Sequence, residues 1–254
     1  MSPTTRRIVA PIVGIVVFAL LWEAVVRTFD IRRFVLLAPS KIVAELTEAP
    51  GFYWSNAVTT AWHMAVGLAI SLACATVVGA VMASSRFVEE ATQPVLVLIL
   101  VTPWVAYITS VVLWLDGGDP TILFMVAFTS FPVLTFGVVG GMKSADPAAR
   151  ELLASVDARP WEVFWRLRLP AALPSIFTTL RFALGLGLAA AYFSEGSALT
   201  RDGLGAIGRI AASNNQAETL WATITTAALL GIVGLVVITL AERNVLRWHA
   251  SQRR

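Results

Sequence analysis

The 254 residues contain a single cysteine, Cys74, set inside an apolar run, and two histidines far apart, His63 and His249. One cysteine can form neither an internal disulfide nor a cysteine cluster, and two distant histidines offer a metal little, so no metal site is expected. Charge is scarce as well. Charged residues are 14% of the chain, against about 25% in a soluble domain. The net charge is +3, but the basic residues are scattered between apolar runs and form no contiguous patch, which argues against a nucleic-acid partner. No G-x-x-x-x-G-K-[ST] sequence is present, so the chain should not bind ATP through a P-loop. Paired carboxylates and nucleophile–base spacings are missing too. A membrane-embedded enzyme would have to rest on Glu23, His63 and Glu195 as its acid–base groups. An ion-driven secondary transporter tends to carry internal repeats, and none is found.

What the chain has in abundance is apolar sequence: 57% of residues are hydrophobic and the mean hydropathy is +0.76. Lipid is then the expected solvent. Spanning a bilayer takes about 20 apolar residues with every backbone amide paired internally. Six segments qualify: Ile8–Arg27, Ala57–Ser84, Thr92–Leu115, Thr121–Met142, Ile176–Ser194 and Leu220–Ala241. The first resembles a signal peptide, but it is long enough to span and no small-residue cleavage site follows, so it is read as a retained helix. Pro94 and Pro103 should bend the third. Arg181 near the start of the fifth can snorkel to the interface. The fold expected is an all-α membrane protein of about six transmembrane helices, in one folding unit spanning 1–254.

Orientation follows from Lys and Arg. With the N-terminus in the cytoplasm, the inner side carries Arg6, Arg7, Arg86, Lys143, Arg150, Arg159, Arg166, Arg168, Arg181, Arg243, Arg247, Arg253 and Arg254. The outer side carries Arg27, Arg32, Arg33, Lys41, Arg201 and Arg209. Thirteen against six places both termini inside. Asp116 and Asp119 then fall in a short outer loop turned by Gly117 and Gly118.

The longest inner connection, 143–175, is the most informative. Asp146 can cap a helix whose first residue is Pro147, with Glu151 in its early turns. That helix covers Pro147–Val156. Pro160, Trp161 and Glu162 announce a second, with Trp161, Phe164, Trp165 and Leu167 near helical spacing. Leu169 and Pro170 are expected to end it, and Pro174 to precede the next span. Two short helices and a tight turn make a rigid knob that could fit a partner's groove. Periodicity alone fits an amphipathic loop lying in the headgroups equally well.

The stretch from Glu151 to Pro174, ELLASVDARPWEVFWRLRLPAALP, resembles the EAA loop of binding-protein-dependent ABC permeases. Glu151 matches the glutamate, Ala158 the alanine after the glycine, Phe164 the aromatic, and Leu169 with Pro170 the L-P. Pro174 and Ile176 match the later proline and aliphatic. Leu37–Ser40 (LAPS), Ser144–Pro147 (SADP) and Leu180–Gly185 (LRFALG) are similar to other segments of the family, within its nitrate, sulfonate and taurine-type subgroup. The family's glycine is Asp157 here, which either takes φ > 0 at low cost for a non-glycine residue or caps the second helix. The resemblance implies a type I importer permease fold at the bacterial inner membrane. It also implies a homodimer, two cytoplasmic ATPase subunits and an external solute-binding protein. ATP-Mg would sit on the ATPase and no cofactor on this chain. Glu151, Asp157, Ala158, Phe164, Leu169 and Pro170 would form the coupling surface, and the cargo would be a small polar or anionic solute.

Polar and aromatic residues on the middle helices are candidates for the pathway: Trp104, Tyr107, Ser130 and Tyr192. Glu195 fits either pathway lining or interfacial anchoring, and Glu23 beside Trp22 reads as interfacial. Gly203–Gly208 is a formal G-x-G-x-x-G, but it follows a membrane helix where a dinucleotide fold needs a strand, so tight loop packing is expected. Gly137 and Gly141 permit close helix contact, within the subunit or between copies. His63 and Cys74 are read as buried packing residues.

Overall fold

A computed structural model describes residues 3–246, with side chains from residue 9 onward. His249, Arg247, Arg253 and Arg254 of the reading above lie outside the described residues, as do the side chains of Arg6, Arg7 and Ile8. Among the described residues the chain is helical throughout. In order, α1 is Pro3–Thr28, α2 Pro39–Glu48, α3 Pro50–Ser84, α4 Arg86–Val101, α5 Ile108–Leu115, α6 Gly118–Lys143 and α7 Pro147–Ser155. Then come α8 Pro160–Val163, α9 Leu169–Ser197, α10 Leu204–Ser213 and α11 Ala217–Val245. Five helices are long and apolar enough to cross a membrane, and α4 with Trp104–Leu115 makes a sixth crossing if the bent pair counts as one.

The third expected span is bent at Pro103 as expected, but not at Pro94, and the bend is sharp enough to break it in two. It breaks by 88° between Val101 and Trp104. Pro94 lies inside α4 without ending it, whereas Thr102 is extended ahead of Pro103 (φ −75°, ψ 133°). A residue before proline avoids the α region. The Thr102 hydroxyl also takes the Leu98 carbonyl at 2.7 Å, which helps close the helix there. The two pieces divide the crossing. α4 packs through Leu96 on Met82 and Val139, and α5 through Ile108 and Val111 on Met125.

The fifth span also differs. Leu169 and Pro170 do not end the second loop helix but open α9, and Pro174 lies within it. One apolar helix runs Pro160–Ser197, 38 residues, through a π-helical turn at Phe164–Arg168. A proline removes a donor and crowds the carbonyl four residues back. The wider π turn gives the ring of Pro170 room, so the helix continues instead of stopping. α2 and α10 were not expected as helices. α2 is held by Glu23, which accepts from the Ser40 amide at 3.0 Å and the Ser40 hydroxyl at 2.7 Å, capping α2 from α1.

α6 is the most enclosed span. α3 runs parallel to it in close register: a Cβ at Gly67 or Gly79 would fall 2.5–2.6 Å from Val126 or Val138. α9 runs antiparallel, with Gly137 against Thr179 and Gly141 so near that a Cβ would lie 2.7 Å from the Ala172 Cα. The G-x-x-x-G pair therefore packs helices within the subunit. Ion pairs staple the Lys143 end, Lys143 to Glu89 and Arg181 to Glu242.

Candidate functional site

Two regions concentrate the polar and exposed side chains, one at each end of α9. At the Lys143 end lies the loop knob. Asp146 caps α7, its carboxylate accepting from the Ala148 amide at 2.9 Å, with Pro147 at the first helical position. α7 then closes in a Schellman turn: the Asp157 amide donates to Ala154 at 3.1 Å and the Ala158 amide to Leu153 at 3.0 Å. Asp157 occupies the left-handed position, φ +52°. That settles the two alternatives left by the sequence, since the N-terminus of α8 is served by Glu162, whose carboxylate accepts from the Arg159 amide at 3.0 Å. Phe164 and Leu169 pack inward against Val138, Met142, Ala172 and Ile176. Arg168 donates to the Ser84 hydroxyl at 2.9 Å, tying the π turn to the end of α3. Leu152, Val156 and Trp161 stay 66–68% exposed, and Glu151 and Asp157 are exposed beside them. The knob is thus keyed to the bundle by one face while its other face carries an apolar patch rimmed by carboxylates.

At the opposite end lies a polar cluster whose centre is buried while its outermost member, Asp119, stays exposed. Glu195 has no exposed surface. Its carboxylate accepts from the Thr60 hydroxyl and the Gly205 amide, each at 2.9 Å, and lies 2.9 Å from His63 Nδ1. His63 Nε2 lies 3.3 Å from Asp119 Oδ1 at the start of α6. Thr60 also accepts from the Leu204 amide at 2.9 Å, and Asn56 from the Gly203 amide at 2.8 Å. The amide of the cap residue Gly203 and the first two amides of α10 are therefore met by α3 and α9, where the helix dipole favours an anion. Gly203 holds φ +102°, where a Cβ would also meet Glu195 at 2.5 Å. Gly205 lies directly against the Tyr192 carbonyl. The glycine-rich segment is thus a helix start docked on a buried carboxylate, and four elements meet at it.

The residues singled out for a pathway separate into two groups. Trp104 and Tyr192 come together through Phe193, with ring centroids 5.9 and 6.1 Å away. Tyr107 packs edgewise on Phe128 at 5.5 Å. Tyr192 also bonds Thr223 through its hydroxyl at 3.1 Å. Ser130 and Glu195 are enclosed within the subunit, Ser130 facing the Ala183 carbonyl at 3.5 Å. His63 is buried as expected, but it bridges two carboxylates. Reading the chain one residue at a time gave no sign of that, because its partners lie 56 and 132 residues away. Phe193, 52% exposed, and Arg209 were not singled out. Arg209 stands one helical turn after Gly205, a signal legible only once α10 is known to be a helix.

Five to six apolar crossings, with the knob between the fourth and fifth, define a multi-pass membrane protein. The chain belongs to the family of binding-protein-dependent transport system inner membrane components, whose model matches residues 75–247. It is a permease subunit of an ABC importer. It is similar over nearly its whole length to the formylaminopyrimidine transport permease protein of Halalkalibacterium halodurans, at 27% identity over 95% of this chain and 96% of the relative. Similarity to the taurine transport system permease protein of Escherichia coli is 24% over 98% and 93%. For the riboflavin transport system permease protein of Chloroflexus aurantiacus it is 27% over 99% and 97%.

Proposed function

We propose that this chain works as one of two identical permease copies, with a cytoplasmic ATPase docked on each knob and an external solute-binding protein delivering the cargo. Residues 1–254 act as one transmembrane domain, of which 143–175 is the coupling element. Both termini face the cytoplasm. The observation that carries this reading is the knob: an apolar, acid-rimmed patch of Glu151, Leu152, Val156, Asp157 and Trp161 that the subunit leaves uncovered while it fixes the opposite face. Hydrolysis then takes place on the partner, which holds ATP-Mg, and the knobs pass its closure to the bundle by favouring one of two helix arrangements. Arg86, Lys143, Arg150, Arg159, Arg166, Arg168, Arg181 and Arg243 all belong to the knob end, which supports placing that end inside. The pathway runs between copies along the exposed face of α9, where Phe182 and Phe193 project and Trp104 and Tyr192 adjoin. The relatives named above are transport permeases for a formylaminopyrimidine, taurine and riboflavin, and a small polar or anionic solute is the cargo assigned here.

The test is a mild-detergent pull-down of tagged protein from its native membrane, wild type against Glu151→Arg with Trp161→Ala, since Trp161 is on the exposed face and Phe164 packs inward. A P-loop ATPase recovered in near-equal amount with wild type and lost with the double variant, the permease staying monodisperse, is the expected result. A folded wild-type protein that brings down no ATPase in several detergents refutes the docking.

A further inference from the structure

Between the outer ends of α9 and α10 lies a cleft of about 250 Å3. Tyr192, Phe193 and Gly196 form its α9 wall, Gly208 lies on its α10 wall, and Arg209 stands at its lip. The base of the Arg209 side chain rests over Gly196, where an added Cβ would lie 3.6 Å from its own. The residue is exposed. Arg27, Arg33, Arg86, Arg166 and Arg181 each pair with a carboxylate. The Arg209 side chain, like those of Arg32, Arg150, Arg201 and Arg243, has no ion pair or hydrogen bond among the described residues. The nearest acid along α9, Glu195, bonds Thr60, His63 and Gly205 and makes no ion pair with Arg209. The cleft therefore joins an unpaired guanidinium to an apolar floor, Phe193, that continues edgewise to Trp104. A guanidinium presents paired donors that fit an oxyanion with two or three equivalent oxygens. The glycines on both walls let a small group approach the backbone.

We propose that this cleft is an oxyanion subsite, in which Arg209 holds the carboxylate or sulfonate group of a small solute while Phe193 contacts its short apolar part. The inference rests on the reading that α9 borders the pathway, and it narrows the cargo to anions. Arg209 is a specificity-determining residue rather than part of the coupling machinery. A lipid phosphate has the same chemistry, so the test must tell the two sources apart.

The experiment uses the permease with its co-purified ATPase in liposomes, with Cys74→Ala and Ser197→Cys introduced. Ser197 is exposed and lines the same cleft. Labelling rates are compared for an anionic, sulfonate-bearing thiol reagent and a cationic, ammonium-bearing one, with millimolar ethanesulfonate as the competing probe. The expected result is a rate ratio favouring the anionic reagent by about fivefold, the combined attraction of one reagent and repulsion of the other by a unit charge about 8 Å away in water. Arg209→Gln should abolish that ratio and Arg209→Lys should keep part of it. Ethanesulfonate should slow labelling in wild type and not in Arg209→Gln, in vesicles made only of zwitterionic phosphatidylcholine. Equal rates for both reagents, or protection that survives Arg209→Gln, overturns the proposal. Protection by added phosphatidylglycerol but not by ethanesulfonate also overturns it, in favour of a lipid. Failure of the ATPase to co-purify would sink the docking reading alone, because labelling and protection are read without it.

Discussion

Replacing Glu195 by alanine should unfasten α10, whereas glutamine should not. The carboxylate meets three partners at 2.9 Å inside a site closed to water: the Thr60 hydroxyl, the Gly205 amide and His63 Nδ1. Alanine strands all three, and each stranded buried group costs about 1–3 kcal/mol. Local relaxation trims the sum, so a loss of about 3–5 kcal/mol is expected, the range for removing one partner of a buried charged pair. Glutamine keeps one oxygen for Thr60 and Gly205. Its amide nitrogen can donate to His63 Nδ1 if the ring carries its proton on Nε2, which then donates to Asp119. Its loss should be about 1 kcal/mol, the gap between a charge-assisted and a neutral bond. Thr60→Val removes a donor to Glu195 and an acceptor for Leu204, and should fall between the two. Maleimide labelling of Ala206→Cys in a Cys74→Ala background reads the outcome, since Ala206 is wholly buried in the first turn of α10. At 1.4 kcal/mol per tenfold, the open population should rise by at least about a hundredfold in Glu195→Ala. Glu195→Gln should raise it about fivefold. Equal labelling of Glu195→Ala and wild type, or of the two Glu195 variants, would refute the account of this cluster.

Other outcomes follow from the same geometry. Asp157→Gly relieves a left-handed residue and should stabilise the Schellman turn by about 0.5–1 kcal/mol without loss of ATPase recovery, while Asp157→Val, β-branched at φ +52°, should lower recovery in the pull-down. Gly141→Val should abolish a monodisperse peak on size exclusion, because its Cβ would meet the Ala172 backbone. Gly140→Ala, which faces open space, should leave the peak unchanged. Arg168→Ala removes the bond to Ser84. In reconstituted complex it should reduce transport per ATP hydrolysed while the ATPase still co-purifies; an unchanged ratio would show that this tie has no part in transmission.

The spans were legible because lipid imposes a long apolar run on each crossing, and the first turns of the loop were legible because capping is local. Asp146 and Pro147 need only their neighbours to be read, whereas Asp157 kept two alternatives until the turn was seen. The failures share a cause in competition between local and tertiary effects. Pro170 looks like a stop, yet a π turn and the packing of Phe164 and Leu169 on α6 carry the helix through it. Thr102 and Pro103 end a helix where Pro94 does not, since Thr102 is extended and takes its own turn's carbonyl. The Glu195 cluster was invisible because its members come from α3, α6, α9 and the start of α10. Glu195 and Ser130 drew attention as polar groups at membrane depth, and both turned out to be enclosed.

The uninterrupted run from Pro160 to Ser197 has a mechanical meaning. At 1.5 Å per residue, 38 residues make a rod about 57 Å long. One end carries the exposed Trp161 and the other the buried Glu195. A tilt of about 10° around its midpoint would swing each tip by about 5 Å in opposite directions, roughly one helical turn. Movement imposed at the knob therefore reaches the far side of the membrane as leverage, with the π turn near one tip as the place where the stroke can be lost.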